Sequence, residues 1–272
     1  MKNPDGGWPY YAGKTSRLEP TCWALLALQA AGERVSPDVL STWPRRDGWF
    51  VDKSSDAVNV AFNGLAGVTL RALSAAESEL TPLRHALIGM KGQKLGQSPA
   101  LRQDNSLQAW PWVDGTFSWT EPTAWAMLFL KRLGAGDAAT AARLAEGERL
   151  LFDRMCVNGG WNFGNPHVLG ADLDAYVPTT AMCLLALRNR REVAPVKKSA
   201  DFLQSHRLAE RSAMALGLTT IALHLHDRAD PDVDAALGAA MTHTAFLSNA
   251  HLTAISLYAT AGRATAYEAL RV

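Results

Sequence analysis

Two pairs of acidic residues sit where they could do chemistry. Glu19 and Glu121 hold the same place in a repeated phrase, Glu19-Pro20-Thr21-Cys22-Trp23-Ala24 against Glu121-Pro122-Thr123-Ala124-Trp125-Ala126. Two carboxylates facing one cavity are what glycoside hydrolysis needs. One gives a proton to the leaving oxygen and the other acts as base or nucleophile. At a helix start the same glutamates also complement the dipole, with no catalytic role. Asp172 and Asp174 form the second pair, in a polar loop ahead of an apolar run. Burial or a close neighbour would raise the pKa of one of them and let it protonate an alkene. As solvated loop residues they would do neither. Aromatic residues could line a substrate cavity and stabilise a cation over their faces: Trp23 and Trp125 from helix interiors, and Tyr11, Trp119 and Trp161 from turns. Core packing is the competing reading for all five.

Metal and cofactor chemistry find little footing. Cys22 aligns with Ala124 and Thr180 in the repeat, as ordinary variation does, and His224 and His226 point to different faces of a helix. No phosphate-binding glycine loop, nucleophile elbow or Cys-x-x-Cys is present. We expect neither metal nor cofactor.

The elements that would position these residues are repeated helical hairpins. A turn rich in glycine and tryptophan, a polar loop and an apolar helix recur at Asp5–Leu28, Asp114–Leu130 and Asn158–Leu187, with a fainter copy from Asp47 to Leu73. In the fourth copy Thr179 aligns with Thr21 and Thr123. The helices after the turns are apolar on nearly every face, as inner helices of an array are. More amphipathic partners follow at about 80–90, 137–156 and 196–206, with a short one near Ser36–Leu40. Residues 91–105, Pro99 included, read as a long loop. Beyond about residue 190 the turn disappears, but 212–226 and 247–259 still read as inner helices, and 232–244 and 264–270 as outer ones. No strand-period run stands out. Six hairpins that cannot bury themselves alone stack and can close into a ring. The expected fold is all-α, an (α/α)6 toroid in one domain spanning 1–272.

The Gly-x-Trp turns (Gly6-Gly7-Trp8, Asp47-Gly48-Trp49, Gly159-Gly160-Trp161) and the helix starts from Pro20 and Pro122 resemble the prenyltransferase/squalene oxidase repeat of squalene–hopene cyclases and class II terpene cyclases. The resemblance is good over roughly 1–190 and implies the α/α toroid. It also implies an isoprenoid substrate in a central cavity, with cyclisation started by protonation. Asp172-Leu173-Asp174-Ala175 would then stand for the Asp-x-Asp-Asp acid motif, with two of its three acidic residues. Trp23 and Trp125 would stabilise cations.

The bulk properties are neutral toward partners. The chain has 272 residues, a net charge of +1 and 48% hydrophobic residues, so nothing points to nucleic acid. Three cysteines do not make a disulfide framework, and no signal peptide or membrane span is apparent, which gives a cytoplasmic expectation. An isoprenoid-like ligand would be compatible with peripheral membrane contact. Two other readings stand beside the cyclase: a non-catalytic toroid that binds a lipid or a protein partner, and a carbohydrate-active toroid using Glu19 and Glu121.

Overall fold

In the computed structural model, residues 1–97, 101–134, 136–246 and 248–272 are described. Six helices whose sequences are apolar on every side form the inner ring: α1 (Leu18–Ala30), α3 (Val60–Ala72), α5 (Thr120–Leu133), α7 (Val177–Ala186), α9 (Ala213–Leu225) and α11 (Ala250–Ala261). Each packs on the next in chain order, and α11 returns to α1, so the ring closes. Between them run α2 (Asp38–Ser41), α4 (Glu77–Gly89), α6 (Ala138–Asp153), α8 (Ala194–His206) and α10 (Pro231–Phe246), the outer layer. The expected α/α toroid is therefore the fold. No helix among the described residues is long and apolar enough to cross a membrane.

Three expectations change in detail. The sixth outer helix is replaced by two 3-10 turns, Gly262–Thr265 and Glu268–Leu270. Ala266 and Tyr267 between them are both left-handed, which ends a right-handed helix. Two short antiparallel ladders appear, β1 (Arg45–Arg46) with β2 (Trp49–Phe50), and β3 (His167–Val168) with β4 (Ala171–Asp172). They are two residues long, too short to leave a period in the sequence. The last inner helix begins at Ala250, and Leu247 and Pro99 lie outside the described residues.

The repeat has a physical basis. The fourth residue of an inner helix reaches back and holds the backbone of the turn before it. Thr21 Oγ1 accepts from Trp8 N at 2.9 Å, Asn63 Oδ1 from Phe50 N at 2.8 Å, Thr123 Oγ1 from Trp110 N at 3.3 Å and Thr180 Oγ1 from Trp161 N at 3.0 Å. Two alignments are thereby corrected. Thr180, not Thr179, is the counterpart of Thr21. In the third repeat the turn residue is Trp110, not the Asp114–Phe117 stretch. In the third and fourth turns the tryptophan also staples the outer layer: Trp110 Nε1 donates to Leu87 O at 2.8 Å and Trp161 Nε1 to Leu151 O at 2.6 Å.

Close packing of the ring depends on small residues. A Cβ at Gly64 would stand 2.7 Å from the Trp125 backbone carbon, and one at Gly67 would stand 2.5 Å from the Phe129 ring. Glycine at both positions lets α3 lie directly against α5. Inside the inner ring, Trp23 meets Trp125 and Tyr258 edge to face, 5.8 Å from each between ring centroids. All three are buried. Ring closure is sealed where Ala250 N donates to Tyr10 O at 2.9 Å.

Candidate functional site

The N-terminal ends of the inner helices gather on one face of the ring. The second residue of each helix is, in order, Glu19, Ala61, Glu121, Pro178, Met214 and His251. Three of these six can carry charge or a proton, and all three converge. His251 Nε2 lies 3.3 Å from Glu19 Oε1, and the Glu19 charge is felt at Glu121. One helical turn further along come Trp23 after Glu19 and Trp125 after Glu121, and the two indoles meet edge to face at 5.8 Å.

The two glutamates have the same repeat position and opposite electrostatics. Burial pushes the Glu19 carboxyl up. The His251 imidazole beside it, a hydrogen bond from the Tyr10 hydroxyl and the Arg17 guanidinium more than offset this, and hold it below the usual range. Arg17 is itself fixed by Asp52 at 2.6 Å. Glu121 has no such partners among the described residues. Burial and the negative charge of Glu19 push its carboxyl up to about 8. Near neutral pH one carboxyl is ionised and its counterpart holds a proton. That splitting of a carboxylate pair is how one site comes to contain an acid and a base. Glu19 keeps 17% of its side-chain surface accessible, so the pair is recessed and still reachable.

Glu121 opens on a cavity of about 300 Å³ lined also by Phe163, Tyr176, Pro178, Met182 and Met214, with Glu210 at its edge. Aromatic rings continue along the rim. Phe163 and Tyr176 are in contact at 5.1 Å, and Phe117 stacks on Trp119 at 4.7 Å. Tyr11, Phe117, Phe163 and Tyr176 are exposed although apolar.

The other residues singled out in the sequence fall elsewhere. Asp172 and Asp174 are exposed, and Asp172 pairs with Arg102 and with His167 Nδ1 at 2.9 Å in the β3–β4 hairpin. Trp161 is wholly buried with its indole N–H committed to the backbone, so it staples helices. Trp23 and Trp125 are core residues. Tyr11 and Trp119 are at the rim side of the chain, half-buried or exposed. Cys22 is buried in α1.

Neither His251 nor the Tyr10 hydroxyl was singled out in the sequence. The signal for His251 is its place two residues past the helix-capping Asn249, as Glu19 and Glu121 stand two past theirs. It is hidden because the last hairpin lacks the glycine–tryptophan turn that sets the register.

The sequence matches no protein-family model and no curated protein. Among solved structures, a family 76 glycoside hydrolase from a bovine Bacteroides thetaiotaomicron strain superposes with a TM-score of 0.63, at 11% identity, over 98% of this chain and 74% of that one. A second family 76 enzyme, a mannosidase from Bacteroides thetaiotaomicron, gives 0.57 at 10% identity over 98% and 94%. Candida albicans protein geranylgeranyltransferase-I, complexed with GGPP, gives 0.46 at 14% over 70% and 56%, too distant to bear on function. At these identities the likeness is one of fold. The resemblance read in the sequence holds as far as the α/α toroid and no further.

Proposed function

We propose that residues 1–272 act as one catalytic unit that hydrolyses a glycosidic bond in a neutral oligosaccharide. The observation that carries this reading is that Glu19 and Glu121 stand at the same helix position on one face of the ring, near enough to press on one another, in opposite electrostatic surroundings. Glu121, protonated near pH 7, would give its proton to the leaving oxygen. Glu19, ionised and oriented by Tyr10 and His251, would act on the anomeric carbon directly or through water. The exposed rings of Tyr11, Phe117, Phe163 and Tyr176 offer flat apolar faces to sugar rings. The toroid shared with family 76 hydrolases agrees with this and does not by itself decide it.

The test is release of reducing ends from a panel of neutral oligosaccharides, comparing the natural chain with Glu121→Gln and Glu19→Gln. Each variant should lose about 10²–10⁴-fold in rate. The natural activity should fall as pH rises past about 8, where Glu121 loses its proton. Hydrolysis that survives both substitutions would dismiss the assignment.

One observation favours a second reading. The cavity beside Glu121 is bounded by Phe163, Tyr176, Met182 and Met214, and a buried carboxylic acid there could protonate an alkene. In that isoprenoid reading the acid is Glu121, not Asp172 or Asp174. Turnover of squalene or a prenyl diphosphate, lost in Glu121→Gln, with no oligosaccharide cleaved, would select it.

A further inference from the structure

The opposite face of the ring, where α1, α3 and α5 end, holds a second cavity of about 220 Å³. Gln29, Arg71, Arg132, Tyr258, Thr265 and Glu268 surround it, the last two from the C-terminal 3-10 turns that close over it. Three of its side chains, Tyr258, Arg132 and Arg71, carry donors that no described residue accepts from. The Tyr258 residue is 98% buried, and its hydroxyl has no hydrogen-bond partner among the described residues. The Arg132 Nε is buried without a partner as well, although Nη1 donates to Arg271 O at 3.2 Å. Arg71 makes no side-chain hydrogen bond or ion pair to a described residue. The other groups are already engaged or outnumbered: Gln29 Nε2 donates to Ala72 O at 2.8 Å, Thr265 donates to Gly262 O at 3.0 Å, and Glu268 is the one carboxylate beside two guanidinium groups.

Arginines in the last turn of a helix complement the helix dipole, and that accounts for the placement of Arg71 and Arg132. It leaves the Tyr258 hydroxyl unexplained, since a buried polar group is ordinarily satisfied. It also leaves unexplained why two cations face one small enclosure, where burial and the charge of Arg71 already press on Arg132. An acceptor with two or three oxygens would meet all of these at once. We propose that this cavity is a binding site for a small oxyanion, a phosphate or carboxylate group, held by Arg132, Arg71 and the Tyr258 hydroxyl. Such a ligand would tie the C-terminal turns to the ends of α1, α3 and α5.

The test uses the intact chain in thermal melts and titration calorimetry with sodium phosphate and, separately, sodium acetate, each against sodium chloride at equal ionic strength. Binding to the folded chain raises the melting temperature saturably, by a few degrees at concentrations well above the dissociation constant. Phosphate or acetate should do this and chloride should not; which of the two acts identifies the kind of oxyanion. Tyr258→Phe and Arg132→Gln should weaken the response at least tenfold in concentration. Arg71→Gln, at an exposed position, serves if Arg132→Gln does not fold. Glu121→Gln should respond as the natural chain does, since it lies on the other face. If neither anion exceeds chloride, or if Tyr258→Phe and Arg71→Gln respond like the natural chain, the site does not exist.

Discussion

Glu121→Gln should make the protein more stable above neutral pH and leave it nearly unchanged below pH 5. In the unfolded chain Glu121 titrates near its ordinary value of 4.5, and in the fold burial and Glu19 push it up to about 8. Between those limits the folded chain keeps a proton that the unfolded chain has released, so stability falls as pH rises. Each pH unit of that difference is worth about 1.4 kcal/mol, so the whole interval gives an upper figure of roughly 5 kcal/mol. Solvent at the mouth of the cavity lowers this to an expected ~2–4 kcal/mol. A glutamine fills the same volume and never ionises, so the loss disappears from the variant.

Urea unfolding of both chains at pH 5, 7 and 9 measures it. The stability difference in favour of the glutamine chain should widen steadily with pH. Groups that titrate alike in both chains cancel in the comparison. Glu19 titrates where Glu121 is still neutral, so the substitution leaves its contribution the same in both chains. A difference that is constant from pH 5 to 9 would mean that Glu121 is ionised in the fold, and the acid of the proposed pair would be gone.

Other substitutions probe the scaffold and the partner carboxylate. Gly64→Ala should cost about 1–3 kcal/mol by urea unfolding, because its Cβ would fall 2.7 Å from the Trp125 backbone and push α3 off α5. Thr180→Val should cost about 1–3 kcal/mol through the Trp161 N–H it leaves unpaired, whereas Thr179→Val should cost less. Tyr10→Phe should raise the titration of Glu19, read as a shift of the acidic limb of activity toward neutral pH with the basic limb in place.

The inner helices were legible because an all-round apolar run has few other places to go. The turn register was legible to within a residue in the fourth repeat and was missed by several in the third, where Trp110 and not the Asp114–Phe117 stretch makes the turn. Thr179 and Thr180 are chemically alike, and what separates them is which hydroxyl reaches Trp161, a matter of helix phase. The sixth outer helix was misread because Ala264–Leu270 has good helix formers, and the two left-handed residues inside it leave no mark on composition. The aromatic residues were legible as a group and not by role. Trp23, Trp125 and Trp161 are among the most buried side chains, while the exposed rim is made by Tyr11, Phe117, Phe163 and Tyr176.

Repetition explains why two glutamates share a mouth, and it cannot explain why they differ. A helical hairpin that carries glutamate at its second helical residue, copied around a ring, delivers carboxylates to one rim at fixed intervals. Two equal carboxylates would serve only the helix dipole. The difference enters through the neighbours. α1 lies beside α11, whose second residue is His251, and the first turn adds Tyr10. α5 lies between α3 and α7, whose second residues are Ala61 and Pro178, and these offer nothing to a negative charge. Closure of the ring is thus what separates the pair, because only the junction of the last helix with the first places an imidazole against Glu19. His251→Ala should therefore raise the Glu19 carboxyl. Near pH 8, where Glu121 loses its proton, Glu19 is still ionised, so the charge it presents to Glu121 is kept. The acidic limb of a pH–rate profile would move toward neutral pH while the basic limb stays. An acidic limb that did not move would show that the imidazole does not hold Glu19 in its ionised form.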